Sequence, residues 1–73
     1  MVILSVNTNN RGARNSHSQQ FPNMVDARAG MDWRVADYLN RGFKTVETYD
    51  DGKSVYQTLE KRDEMVRFEL NTY

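Results

Sequence analysis

The stretch NTNNRGARNSHSQQFPN, residues 7–23, holds five Asn, two Arg and no aliphatic residue larger than Ala13, and it separates the apolar-rich MVILSV (residues 1–6) from a patterned segment. Val2, Leu4 and Val6 alternate, and their β-branched character favours a short strand over residues 2–6. From Asn7 to Gln20 the sequence follows neither a period of 2 nor one of 3.6. Its Asn, Ser and Gly side chains offer the backbone local alternatives to regular structure. Residues 1–23 therefore read as a strand followed by a flexible polar N-terminal arm, and residues 24–73 as a compact body.

Within that body, Met24, Ala27, Met31, Val35 and Tyr38 share one helical face, but Gly30 interrupts the run, so residues 21–30 read as a turn or a short helix. MDWRVADYLNRGF (residues 31–43) is the clearer helix, with Asp32 placed to cap its first turn and Trp33, Val35, Ala36 and Leu39 at helical spacing. Gly42 supplies a left-handed stop, after which Phe43 packs back on Tyr38.

The run FKTVETYDDGKSVYQTL (residues 43–59) is a hairpin pattern, and a three-residue loop Asp50–Gly52 pairs Val46 with Tyr56 and Phe43 with Leu59. EKRDE then forms a charged turn, and Val66, Phe68 and Leu70 alternate along a last strand. The expected fold is α+β: a small antiparallel sheet of three strands, or four if residues 2–6 join it, packed on one helix. The expected core is Trp33, Val35, Leu39, Phe43, Val46, Val55, Leu59, Val66, Phe68 and Leu70.

With 73 residues and 38% hydrophobic content, the chain has little surface to bury. It contains no Cys, which removes disulfides, Cys-ligated metals and thiol catalysis. No apolar run is long enough to span a bilayer or form a signal-peptide core, so a soluble, cytoplasmic protein without membrane contact is expected. Formal charge is balanced but uneven. Residues 1–30 carry three Arg against Asp26, whereas residues 31–73 carry seven Lys/Arg against nine Asp/Glu.

No catalytic signature emerges. Gly52-Lys53-Ser54 matches the end of a phosphate-binding loop, but Glu47 stands where that motif requires glycine. His17 is the only histidine and has no second imidazole or thiol to complete a metal set. Asp50, Asp51, Glu60, Asp63 and Glu64 lie at turns or among cations, away from the cleft that paired catalytic carboxylates need. The serines lack a nucleophile signature. A non-enzymatic protein without cofactor or metal is therefore expected. Trp33 has the chemistry of an interface anchor, but its place beside Ala36 and Leu39 assigns it to the core.

The arm then carries the functional reading. Val2, Ile3 and Leu4 either dock on the body or augment a partner's sheet, and Arg11 and Arg14 are suited to acidic or carbonyl-rich surfaces. Two arginines on an acidic body are a weak match for nucleic acid, which makes a protein the primary partner.

An extended N-terminal arm before one compact helix-and-sheet body, in a 73-residue chain without Cys, resembles small phage-encoded transcription regulators that bind bacterial RNA polymerase. The resemblance implies action in the cytoplasm of a bacterial host, by inhibition of initiation or by antitermination. The alternatives are a virion or assembly protein whose arm orders on a neighbouring subunit, and a nucleic-acid-binding accessory protein.

Overall fold

In the computed structural model, which describes residues 1–73, the chain order is β1 (Val2–Asn10), β2 (Ala13–Phe21), α1 (Met24–Asn40), β3 (Lys44–Asp50), β4 (Ser54–Lys61) and β5 (Glu64–Thr72). The strands form one antiparallel sheet in the order β2-β1-β5-β4-β3. The α+β class holds, with five strands where the sequence led us to expect three or four.

The stretch expected to be a flexible arm is a β-hairpin. Arg11 and Gly12 both take positive φ, 53° and 91°, which is the type I′ geometry whose twist matches that of paired strands. Asn9 Oδ1 accepts from the Gly12 N–H at 3.0 Å, and Ser16 Oγ donates to Asn7 Oδ1 across the strands at 2.7 Å. β1 pairs on its other side with β5 from Val2↔Thr72 to Asn10↔Glu64, so residues 1–23 are continuous with the body. β1 is consequently a central strand, and its alternation extends beyond residue 6.

Val2, Leu4 and Val6 point to the same side as Leu59, Val66, Phe68 and Leu70, and α1 covers that side. The helix contributes Ala27, Met31 and Val35, with Met24 and Tyr38 partly buried beside them. This is the stripe that the sequence places around Gly30, and the helix runs through that glycine as one element from an Asn23 cap. Asn23 Oδ1 accepts from the Asp26 N–H at 2.8 Å, so the helix starts there and Asp32 is an interior residue.

With the buried stripe set by Ala27, Met31 and Val35, Trp33 lies about 200° round the helix from Met31 and faces solvent. Trp33, Leu39 and Val46 are exposed and do not belong to the core assigned from sequence; Ala27 and Met31 take part instead. Phe68, fully enclosed, anchors the layer between sheet and helix. Truncating such a residue to Ala costs about 3–5 kcal/mol, a large share of a small domain's stability.

The helix ends as the sequence predicts. Gly42 has φ 97°, its N–H donates to the Leu39 carbonyl and that of Phe43 to the Tyr38 carbonyl, and the Phe43 and Tyr38 rings meet edge-on at 5.0 Å. The β3–β4 register differs from the expectation: Tyr49 pairs with Tyr56 and Thr45 with Leu59, and a bulge at Val46 separates the two halves. Asp50 pairs with Val55, and the turn that follows is held by Arg28 gripping Asp50 and by Asp51, which accepts from the N–H groups of Lys53 and Ser54.

Candidate interaction surfaces

The solvent face of α1 carries an isolated aromatic. Trp33 is 80% exposed, with exposed Val25 two turns before it and Ala29 and Ala36 alongside, so a large flat ring stands on a low surface. Its flanks are acidic because of where the helix sends its arginines. Arg28 pairs with Asp50 on β3 through two bonds of 2.6 and 2.9 Å, and Arg34 donates to Gln19 on β2 at 3.2 Å. Arg41 closes on Asp37 at 2.6 Å. Asp32, next to Trp33, forms no ion pair. The result is an apolar anchor beside a carboxylate whose nearest cationic influence, Arg28, is committed to Asp50.

The side of the sheet away from α1 is open. There Tyr49 and Tyr56 stack at 5.2 Å, and the Arg67 guanidinium lies 4.2 Å from the centre of the Tyr56 ring. Both faces of Tyr56 are thus engaged within the protein. Arg67 also pairs with Glu69 at 2.6 Å and Glu47 at 3.6 Å, so its charge is neutralised in place. Such a face has aromatic surface but lacks the net positive field that tracks a nucleic-acid backbone. Beside it, Thr58 is only 6% exposed and its Oγ1 has no hydrogen-bond partner.

The residues first singled out for partner binding are dispersed. Val2 and Leu4 are buried under α1, which removes their side chains from any surface, while Ile3 lies half-buried on the open side. Arg11 occupies the hairpin turn, with its N–H 3.4 Å from the Asp63 carbonyl and its guanidinium 4.0 Å from the Asp63 carboxylate. Arg14 stands on edge strand β2 on the open side. β1 separates Val2 from Arg11 by its whole length, so the set does not converge.

His17 lies at the middle of β2, and Gly52-Lys53 belongs to the β3–β4 loop. Asp50 has its carboxyl held at about 2, chiefly by the Arg28 hydrogen bond and then by the Gly52 N–H. Asp51 is lowered by the Ser54 and Lys53 N–H groups. These carboxylates shape the loop. No group of three or more His, Asp or Glu side chains converges as a metal site. No helix is long and apolar enough to cross a membrane.

Sequence reasoning missed Trp33 as a surface residue, although the competing stripe of Met24, Ala27, Met31, Val35 and Tyr38 contained the signal. No protein-family model, curated protein or solved structure matches the chain.

Proposed function

We propose that the protein is a non-enzymatic binding protein that engages another protein through the outer face of α1, with Trp33 as anchor. The observation that carries this reading is the 80% exposure of its only tryptophan, on a face of small residues. Tryptophan is enriched among residues that dominate interface energy, and solvent exposure of a large ring is unfavourable until something covers it. The unpaired Asp32 favours a partner with an apolar socket and a basic rim.

Bacterial RNA polymerase is the first partner to test, on the sequence's resemblance in length to phage transcription regulators, the extended arm of that resemblance being a hairpin of the sheet; binding there would alter initiation or termination. Purified polymerase should be retained by the immobilised protein, and Trp33→Ala should weaken that binding by about 30-fold or more, the equivalent of about 2 kcal/mol. Absence of retention at low salt would exclude polymerase, and equal retention by a folded Trp33→Ala variant would exclude the anchor.

The alternative of a virion or assembly protein is favoured by a separate observation, the uncovered edge of β2. Nucleic-acid binding is opposed by the internal neutralisation of Arg67. A gel shift that weakens steeply with salt would restore it.

A further inference from the structure

The two edges of the sheet are unlike. β3 carries Lys44, Glu47 and Asp50, is broken by the bulge at Val46, and is tied to α1 by Arg28. Charges, bulges and covering contacts are the devices that keep an edge strand from pairing with another chain. β2 lacks a bulge and its one charge is Arg14; its ties to α1, Arg34 to Gln19 and Phe21 against Gly30, lie on the helix side of the sheet and leave its outer backbone edge open. It is nine residues long, in unbroken register with β1, without proline, and has no Lys, Asp or Glu.

The turn fixes which backbone groups of β2 are free. In a two-residue hairpin, Asn10 and Ala13 form a hydrogen-bonded pair, and bonded and non-bonded pairs alternate from there. Ala13, Asn15, His17, Gln19 and Phe21 therefore bond towards β1. The N–H and C=O groups of Arg14, Ser16, Ser18 and Gln20 point away from the sheet.

We infer that β2 pairs with β2 of a second copy, antiparallel and centred on His17, to make a continuous ten-stranded sheet from two five-stranded ones. The strand is self-complementary about that point. Ala13 and Phe21 are equally distant from His17, so the two strands overlap along their full length. Ser16 then meets Ser18 of the second copy, and Arg14 meets Gln20 of the second copy, so each outward residue finds a bonding partner. Other two-fold registers leave part of this set unpaired. Asn15 faces Gln19 of the second copy, His17 meets His17 of the second copy on the axis, and no Arg, Lys, Asp or Glu side chain opposes its like, an arrangement that would be destabilising directly across strands. The closed two-fold leaves the bulged, charged β3 as the outer edge on both sides, which stops further growth. The inference rests on this edge and is independent of Trp33.

The chain contains no cysteine, so a single introduced one reports the register. His17→Cys occupies the non-bonded pair on the axis, where Cα atoms stand about 4.5 Å apart, inside the range a disulfide spans. It should oxidise to a covalent dimer. Ser16→Cys alone should form no covalent dimer, while an equimolar mixture of Ser16→Cys and Ser18→Cys should cross-link. The unmodified protein should sediment as a dimer at high micromolar concentration. Ser18→Pro, which removes an outward N–H and no bond to β1, should sediment as a monomer with an unchanged circular dichroism spectrum. A wild-type monomer throughout would overturn the inference. So would His17→Cys oxidising no faster than Ser16→Cys, a result that decides the matter even if the proline variant fails to fold.

Discussion

The ring of Phe21, at the end of β2, occupies the space that a side chain on Gly30 would need: its Cζ lies 2.7 Å from the position of an ideal Cβ there. Phe21 is also the one residue of β2 that is not fully exposed, so this contact ties the edge strand to the helix. Gly30→Ala should gain about 1 kcal/mol of helix propensity and lose about 1–3 kcal/mol to overpacking. A net destabilisation of about 1 kcal/mol is expected in urea unfolding. Combining it with Phe21→Leu should return part of the loss, and strictly additive effects would show that the two sites do not meet.

Trp33 is the only tryptophan and stands in water. The folded protein should emit close to the wavelength of free tryptophan, be quenched readily by iodide, and shift little on unfolding. Trp33→Ala should change stability by less than about 0.5 kcal/mol. Blue-shifted emission from dilute protein would place the ring in an apolar contact and contradict the exposed face.

Asp50 and Asp51 both have carboxyl groups below the ordinary 3.8, Asp50 at about 2. A folded value below the unfolded one means that the contribution to stability is complete above the unfolded pKa and is lost as pH falls through the folded one. The thermal midpoint should therefore drop between about pH 4 and about pH 2, where these groups take up protons. Asp50→Asn isolates this residue: the variant should be less stable than wild type at neutral pH, and the gap should close in that acidic window. A gap that persists at about pH 2 would mean that Asp50 acts through shape alone.

The buried Thr58 hydroxyl has no partner, and an unsatisfied buried polar group costs about 1–3 kcal/mol. Thr58→Val keeps the branched shape and removes the oxygen. Its urea midpoint should rise, by the equivalent of about 1 kcal/mol. A fall would reveal a hydrogen bond formed by that hydroxyl in solution.

Much of the fold was legible in the residues themselves. The end of α1 was determined locally, since Gly42, Phe43 and Tyr38 lie within one turn and meet through short-range geometry. The same holds for the inward sets of β1 and β5, where a strand with one buried face must alternate. Of the proposed partner residues, sequence alone placed Arg11 and Arg14 on the surface, while Val2 and Leu4 proved to belong to the core.

β2 was decided elsewhere. Apart from Phe21 its side chains are exposed, so no burial imposes alternation on them, and the strand exists because its backbone completes a ladder with β1. Those bonds have no side-chain signature beyond the Arg11-Gly12 turn. The face of Trp33 was likewise settled at a distance. The helix offers two apolar stripes, one through Met31 and Val35 and one through Trp33 and Ala36, and both satisfy helical spacing. Only the sheet chooses between them: small Ala27 and the close approach of Phe21 at Gly30 let the backbone of the first stripe come down onto the strands, which turns the bulky indole outward.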